Sequence, residues 1–255
     1  MDLSIVVPFY KNTEDVYTVL NTVAAFIGSS EQNIEVVLIN DSADGSKIRV
    51  DVNYPFSVGI IELDTNIGVT AARNIGYRRA SGEYVLFFDS DDYLIKNMLD
   101  TVLEFLHTHQ ANVVFFRCVD EHDRIVGNPT LKVAWAKSPN LFYGQGECIV
   151  CVRSRDTDPF IDHFRGSEHT GLLKFALINQ PKSFCWADFA IRKYMPNPKG
   201  LSSRINTKER TLLIAEGHMQ SSWFSLRLGE LWWAFRFAIT SVYRFVLYLK
   251  MRMAA

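Results

Sequence analysis

The chain has 255 residues, 48% of them hydrophobic, and a formal net charge of −1 at pH 7. This length can bury one large core or two small ones, and the near-zero charge excludes nucleic acid as an expected partner because no basic field is present. Four cysteines are too few for a disulfide framework, so we interpret them as free thiols. Residues 1–8 lack the features of a signal peptide, and a cytoplasmic location is expected.

Apolar runs alternate with helical spacings through residues 1–118. The first run, from Leu3 to Val7, is typical of a strand, and Pro8 is expected to end it. The predicted elements that follow are a helix over 16–27, strands over 34–39 and 58–63, a helix over 69–80, a strand over 84–88, a helix around 98–106 and a strand over 112–118. Such alternation predicts an α/β fold with a mostly parallel sheet flanked by helices.

Polar segments follow three of these strands. They are Pro8-Phe9-Tyr10, Asn40-Asp41 and Asp89-Ser90-Asp91. Because right-handed crossovers carry the carboxyl ends of parallel strands to one edge of the sheet, we expect these segments to form one site. Crowded carboxylates repel each other unless a cation lies among them, so Asp91, supported by Asp89, is predicted to bind a divalent metal. Asp92 is interpreted as a turn residue.

The usual phosphate-binding loops are absent from the sequence. No Gly-x-x-x-x-Gly-Lys-Ser/Thr occurs, and no Gly-x-Gly-x-x-Gly follows the first strand. A bound nucleotide would therefore need a metal and basic side chains to neutralise its phosphates. Arg73, on the helix before the acidic strand, is the candidate cation; the alternative is a surface arginine.

The first 120 residues contain an ordered set of short motifs. The segments are 4–10 with Asn12, 37–41 with 44–46, 66–68, 72–76 and 82–92. In this order and spacing they resemble the family 2 glycosyltransferases of the GT-A fold, of the type that builds bacterial cell-surface polysaccharides. The resemblance implies a Rossmann-like GT-A domain over 1–215, with a nucleotide-sugar-binding half (1–118) and an acceptor half (119–215). Residues 216–255 would form a separate helical segment.

The resemblance also implies roles for the nucleotide pocket. Pro8 and Tyr10 would line it, with Tyr10 packed against the base. Asp41 would accept a hydrogen bond from the base, which suits the imide N–H of uracil and so a UDP-sugar. The family often has Asp-Asp where this chain has Asn40-Asp41, and the second position carries the role.

The same resemblance assigns the phosphate end of the donor. Arg73 would contact the diphosphate or base, and Asp89 the ribose or metal, while Ser90 between the two aspartates would belong to the donor site. Asp91 of this Asp-x-Asp motif would bind Mn²⁺ or Mg²⁺ directly.

The acceptor half matches the family less regularly. A Glu-Asp pair commonly opens a helix there and supplies the catalytic base, and in this chain Glu168 and His169 occupy its positions. Either side chain can be tuned toward neutral pH, so both remain candidates. Asp162 and His163 are neighbouring alternatives.

A segment further along, residues 194–203, resembles the family's closing loop over the donor phosphates. Lys199 and Ser202 are the phosphate contacts expected there. The implied enzyme is an inverting, metal-dependent glycosyltransferase of the hexosyltransferase type, which moves a sugar from a UDP-linked donor to a hydroxyl of a glycan or polyprenyl-linked acceptor.

Two other functions stay open. A nucleotidyltransferase should have a Gly-rich basic loop after the first strand, which residues 8–12 lack, and a non-catalytic sugar-nucleotide-binding scaffold is favoured by the imperfect Glu168-His169 pair.

Aromatic and basic residues are interleaved from Ser221 onward. Apolar positions from Phe224 to Leu249 recur at spacings of four and three, which predicts one helix with a continuous apolar seam. Arg236 and Arg244 interrupt the apolar run, so a helix lying on a membrane surface is expected rather than one that spans it. We therefore predict peripheral contact of residues 221–252 with the inner face of the cell membrane. A helix pair folded against the catalytic domain, or the seam of a homodimer, is the alternative.

Overall fold

The computed structural model describes residues 1–10, 15–130, 132–136, 145–162, 168–179, 184–195 and 207–253. Within these residues nine strands form one sheet and six helices accompany it. The strands are β1 (Leu3–Phe9), β2 (Ile34–Asn40), β3 (Ser57–Glu62), β4 (Tyr84–Phe87), β5 (Tyr93–Leu94), β6 (Val113–Val119), β7 (Ala134–Ala136), β8 (Cys148–Arg153) and β9 (Phe184–Lys193). The helices are α1 (Val16–Ile27), α2 (Val69–Arg79), α3 (Leu99–His109), α4 (Glu168–Ile178), α5 (Lys208–Arg227) and α6 (Leu231–Met253).

The sheet has the order β3-β2-β1-β4-β8-β6-β9-β5, and β7 pairs with β9. The four strands β3, β2, β1 and β4 are all parallel, so their carboxyl ends meet at one edge. Strand β8 runs antiparallel between β4 and β6, whereas β9 is parallel to β6. The predicted acceptor half therefore completes the sheet of the donor half, and β8 brings its first residues to the edge where β4 ends.

Pro8 lies inside β1 and does not end it, so the strand is two residues longer than predicted. The pairing of β1 with β4 stops at Val6, whereas its pairing with β2 continues to Phe9 opposite Asn40. The missing N–H of Pro8 faces the side where β4 has already ended, and it therefore costs no ladder hydrogen bond. The longer strand buries Phe9 and leaves Tyr10 exposed at the edge of the sheet.

Buried side chains cover both faces of the sheet because successive residues of a strand point to opposite sides. Leu3, Ile5 and Val7 of β1 join the core beneath α1 and α3, and Val6 joins the core on the other face. On that second face α2 approaches closely at Gly76, where an added Cβ would lie 2.4 Å from a methyl carbon of Val6. All four cysteines are free thiols.

The C-terminal segment is a pair of antiparallel helices, which corrects the single helix predicted for it. The chain turns between α5 and α6 at Gly229, whose φ of 80° favours glycine, so the apolar seam from Phe224 to Leu249 is not continuous. Helix α5 begins at Lys208, ahead of the predicted boundary at residue 216. The pair packs against α4 through α5, where Thr170 Oγ1 donates to the Gly217 carbonyl at 3.1 Å, while Trp233 and Phe237 of α6 join the core. Among the described helices none is long and apolar enough to cross a bilayer.

Candidate active site

A cavity of about 260 Å³ lies between the carboxyl end of β4, the start of β8 and the first turn of α4. Charged side chains of both signs line it above an apolar floor that includes Phe87 and Leu172. The charged residues are Arg73, Asp89, Glu147, Glu168 and Arg192. Three residues predicted from distant parts of the sequence, Arg73, Asp89 and Glu168, are therefore brought to one cavity. Its two guanidinium groups can bind an anion while its carboxylates can accept hydrogen bonds or protons.

Arg73 lies in this cavity and not on the open surface. One of its terminal nitrogens is 2.5 Å from Asp89 Oδ1, and its guanidinium is 5.6 Å from the centre of the Phe160 ring. Burial lowers the pKa of Arg73, but the carboxylates of Asp89 and Glu168 outweigh that effect and the pKa is raised. Arg73 is therefore a permanent cation, held where a diphosphate could replace or share its contact with Asp89.

Asp41 is buried at the carboxyl end of β2 and holds the start of α2. Its two oxygens accept hydrogen bonds from the backbone N–H of Ile67 (2.7 Å) and of Gly68 (2.9 Å), and from the Asn66 side chain (2.8 Å). Burial raises the pKa of Asp41, and the two backbone hydrogen bonds oppose this rise. A carboxylate at the N-terminal end of a helix is stabilised by the helix dipole. Asp41 thus fixes the helix that carries Arg73. Its Oδ2 accepts from both Asn66 and Gly68, whereas its Oδ1 accepts from Ile67 and has a second lone pair for a further donor.

The hydrogen bonds around Asn40 explain why this position has an amide side chain. The Asn40 side chain donates to Glu62 Oε2 and to the carbonyl of Ser46, both at 2.6 Å, and accepts from the N–H of Ser42 at 3.1 Å. The other oxygen of Glu62 accepts from the N–H of Ile48 at 2.8 Å. An aspartate here would place a second carboxylate against Glu62, so this chain has Asn where the family often has Asp.

The acidic segment after β4 is suited to a hard divalent cation. Asp91 is exposed at the end of this segment, and Asp89 has one oxygen against Arg73. Carboxylate oxygens are the ligands that Mg²⁺ and Mn²⁺ prefer. In the described part of the chain no group of three or more His, Cys, Asp or Glu could hold a metal ion. The residues that would hold such a cation are Asp91 and Asp89.

Asp92 closes a turn after β4, as predicted, since its N–H donates to the Asp89 carbonyl at 3.3 Å, but its side chain is also buried in an ion pair that was not predicted. Its carboxylate is 2.7 Å from a terminal nitrogen of Arg192, whose Nε is 3.0 Å from Cys118 Sγ. Burial raises the pKa of Asp92, and the Arg192 guanidinium acts against this rise. Arg192 also lines the cavity, and sequence reasoning missed it. The available signal was an arginine that directly follows the largely apolar run 184–191, just before the segment assigned to the closing loop.

Glu168 and His169 point in different directions from the first turn of α4. Glu168 lines the cavity, whereas the ring of His169 stacks on Phe237 of α6 (centroids 5.5 Å apart) and lies 5.6 Å from the His218 ring. Burial, followed by the nearby His218, lowers the pKa of His169 to about 3. Asp162 accepts a hydrogen bond from the Asn74 side chain at 2.8 Å and does not line the cavity. Of the candidate bases among the described residues, only Glu168 lines the cavity.

Several other predicted residues can be placed only in part. Pro8 lies in β1, and Tyr10 is 44% exposed just beyond that strand. Ser90 lies between the two aspartates after β4. His163, Lys199 and Ser202 lie outside the described residues, as does Asn12.

The position of His169, half-buried beside His218 and Phe237, predicts acid sensitivity of the folded chain. Its pKa is about 3 when folded, against an ordinary value of 6.5, so below pH 6.5 the unfolded chain binds a proton that the folded chain does not. The free energy of unfolding should therefore fall with pH, by up to about 1.4 kcal/mol per pH unit from this residue. Urea titrations at pH 7, 6 and 5 measure the slope. His169→Phe keeps the ring stacking and should reduce the slope of unfolding free energy against pH. The control His107→Phe, at an exposed position, should leave the slope unchanged. Equal slopes in the wild type and both variants would contradict the expectation.

A parallel half-sheet whose strand ends lie beside an arginine and an acidic segment is the arrangement of the GT-A class of folds. The family profile described as "Glycosyl transferase family 2" matches residues 4–197. The chain therefore belongs to glycosyl transferase family 2, and the family predicted from the sequence is confirmed.

Curated relatives are similar over part of the chain. An uncharacterized glycosyltransferase of Haemophilus influenzae is 36% identical over 108 residues, which are 41% of this chain and 42% of that protein. Poly(ribitol-phosphate) beta-N-acetylglucosaminyltransferase TarS of Staphylococcus aureus is 29% identical over 120 residues, 46% of this chain and 21% of that protein. The minor teichoic acid biosynthesis protein GgaB of Bacillus subtilis is 31% identical, with 44% of this chain and 13% of that protein covered. The chain thus matches less than half the length of these relatives.

Solved structures share the fold. The crystal structure of S. aureus TarS 1–349 in complex with UDP-GlcNAc superposes with a TM-score of 0.71 at 22% identity, over 91% of this chain and 71% of that one. The structure of the mannosyltransferase PcManGT of Pyrobaculum calidifontis, in complex with GDP-Man and Mn²⁺, superposes with a TM-score of 0.58 at 18% identity. The superposition covers 99% of this chain and 75% of that one. These similarities confirm the predicted GT-A fold class.

Proposed function

We propose that the chain is an inverting glycosyltransferase that moves a sugar from a UDP-sugar to a hydroxyl group. The observation that carries this proposal is the cavity that brings Arg73, Asp89 and Glu168 together at the carboxyl end of β4. A cation and an acidic segment suit the diphosphate side of a sugar nucleotide, and a carboxylate across the cavity suits the acceptor side. Family membership supports the reaction class.

The nucleotide would bind at the carboxyl ends of β1 and β2. Tyr10 lies just beyond β1, which contains Pro8, and its exposed ring can pack against a base. Asp41 can accept a hydrogen bond from the imide N–H of uracil. The complex of TarS with UDP-GlcNAc supports a uridine donor, since that protein shares the fold. Ser90, Lys199 and Ser202 complete the proposed donor contacts.

Departure of the nucleoside diphosphate is the step that needs positive charge. Arg73 offers a charged fork that can form two parallel hydrogen bonds to phosphate oxygens and stabilise the developing negative charge. When bound through Asp91, with Asp89 in support, Mn²⁺ or Mg²⁺ would supply Lewis-acid chemistry to the same oxygens. Asp89 would hold Arg73 in its present orientation until the diphosphate arrives.

Glu168 is the base that we assign to the acceptor. Its carboxylate takes the proton of the acceptor hydroxyl, and the hydroxyl oxygen attacks the anomeric carbon of the sugar. The bond from this carbon to the diphosphate oxygen breaks, and its electron pair leaves with UDP. One such displacement inverts the anomeric centre. His169 has no part in this step because its ring is stacked between α5 and α6.

The acceptor is proposed to be a glycan or a polyprenyl-linked glycan at the inner face of the cell membrane. The names of the relatives TarS and GgaB refer to poly(ribitol-phosphate) and teichoic acid, which are cell-surface polymers. A long exposed apolar face on α6 supports a location at a membrane surface. A homodimer through residues 221–252 is the other explanation of that face.

A donor panel tests the reaction class. UDP-glucose, UDP-galactose, UDP-GlcNAc and GDP-mannose are incubated with the protein and Mn²⁺, with EDTA as the control, and release of the nucleoside diphosphate is measured. We expect UDP release from at least one UDP-sugar and its loss with EDTA. Pyrophosphate release from UTP and a sugar phosphate would instead establish a nucleotidyltransferase. Tight UDP binding without turnover of any donor would establish a scaffold.

A further inference from the structure

Helix α6 has an apolar surface that the rest of the described chain does not cover. Among the eight large side chains between residues 231 and 246 that are 44% to 69% exposed, six lie on one side of the helix. We call them the outer face of α6: Leu231, Trp232, Phe235, Ile239, Val242 and Val246. Soluble monomers rarely expose a contiguous apolar patch of this kind, so a binding partner is expected.

This face is separate from the side of α6 that belongs to the core. At 100° per residue its six positions fall within an arc of about 100°, and the buried residues Trp233, Phe237 and Ser241 lie on the opposite side. Ser241 Oγ donates to the carbonyl of Ala215 in α5 at 2.7 Å, and Phe237 stacks on His169. The inner side thus holds the helix in place, and the outer face is left to an external surface.

The charge of α6 identifies the kind of surface. Between Leu231 and Met253 the sequence has four basic residues and no acidic ones. Arg236 and Lys250 are exposed and flank the outer face, with the Arg236 guanidinium 5.0 Å from the Trp233 ring. Two copies of α6 packed face to face would bring basic side chains together without a carboxylate from either helix. An anionic lipid surface neutralises them and buries the apolar residues at the same time.

We propose that the outer face of α6 lies flat on a bilayer that contains anionic phospholipid. The helix is about 35 Å long, so the whole face can insert at the level of the headgroups while Arg236 and Lys250 contact lipid phosphates. This inference deepens the proposed function and depends on it for the membrane-linked acceptor. Because Phe237 on the inner side stacks on His169, one helix connects the bilayer contact to the helix that begins with Glu168.

Flotation with lipid vesicles tests the contact without requiring catalysis. The full chain is mixed with phosphatidylcholine vesicles that contain or lack phosphatidylglycerol. The wild type should float only with the anionic vesicles. Phe235→Glu combined with Val242→Glu should remain at the bottom of the gradient. The matched control, Val52→Glu with Ile178→Glu, changes two side chains that are 54% and 55% exposed elsewhere on the surface and should float like the wild type.

A second variant tests the electrostatic part. Each basic side chain near an anionic surface contributes roughly a factor of five to binding, so Arg236→Ala with Lys250→Ala should weaken partition into the anionic vesicles about 25-fold. Equal flotation with neutral and anionic vesicles would overturn the choice of lipid. A wild type that stays at the bottom overturns the proposal. The proposal is also overturned if light scattering without lipid shows that the wild type is a dimer and that the outer-face substitutions dissociate it.

Calorimetry of UDP and Mn²⁺ binding on the same preparations separates this inference from the proposed function. A protein that floats and binds no nucleotide supports the outer-face contact and contradicts the proposed donor. A protein that binds UDP but does not float overturns the outer-face contact alone. Variants that keep UDP binding are folded, so their loss of flotation reports on the surface.

Discussion

Glu168→Gln should lower the rate of sugar transfer by about 10²- to 10⁴-fold while UDP binding stays within a few-fold of the wild type. The amide keeps the size and hydrogen-bonding reach of the side chain but cannot take the proton of the acceptor hydroxyl. Glu168 lines the cavity together with Arg73 and Asp89, so its loss of basicity acts at the reacting atoms and not on the fold. Initial rates with the donor found in the panel, together with UDP calorimetry, measure both quantities.

Two matched substitutions separate Glu168 from the other candidate bases. His169→Gln and Asp162→Asn should each keep most of the activity, because His169 stacks between α5 and α6 and Asp162 lies outside the cavity. If His169→Gln lost activity as severely as Glu168→Gln, with the fold intact, the assignment of the base to Glu168 would be wrong.

Asp91→Ala should weaken metal-dependent binding of UDP by at least about 100-fold and remove detectable transfer. Substitution of residues that only orient the ligands of a metal already costs about 10- to 100-fold in metal affinity, and Asp91 is the proposed direct ligand. The described residues offer no cluster that could replace it. Calorimetric titration of UDP in Mn²⁺, repeated with EDTA, gives the metal-dependent part.

The control for Asp91 is an exposed acidic residue away from the cavity. Asp51→Ala removes the same charge from the chain and should leave UDP binding in Mn²⁺ unchanged. Tight binding of UDP and metal by Asp91→Ala would remove Asp91 from the metal site. If the affinity of Asp51→Ala fell equally, the effect would belong to net charge and not to coordination.

Much of the donor side followed from local sequence patterns. Runs of apolar residues ended by turn-forming or acidic residues predicted each of the first strands to within two residues, because burial on both faces requires an uninterrupted apolar run. Parallel connections are right-handed, so the segments after β1, β2 and β4 had to meet at one edge. The position of Asp41 and Asp89 at the same edge of the sheet was therefore predictable from order and spacing alone.

Features that depend on long-range packing could not be predicted in this way. The Asp92–Arg192 ion pair joins residues a hundred positions apart, and neither residue type indicates its partner in the sequence. Glu168 and His169 are neighbours on α4, so their side chains point about 100° apart around the helix. Which of the two lines the cavity is decided by the position of α6, which packs against His169.

The C-terminal segment shows the same division. Its composition determined that aromatic and basic residues would lie together on helices, since their spacing follows the helical period. The sequence also determined the strand ends of the donor site, because apolar runs and turn residues act locally. The tertiary structure alone decided that α6 buries Trp233 and Phe237 and exposes Phe235 and Val242, since a helix with apolar residues on several sides can bury only the side that meets the core.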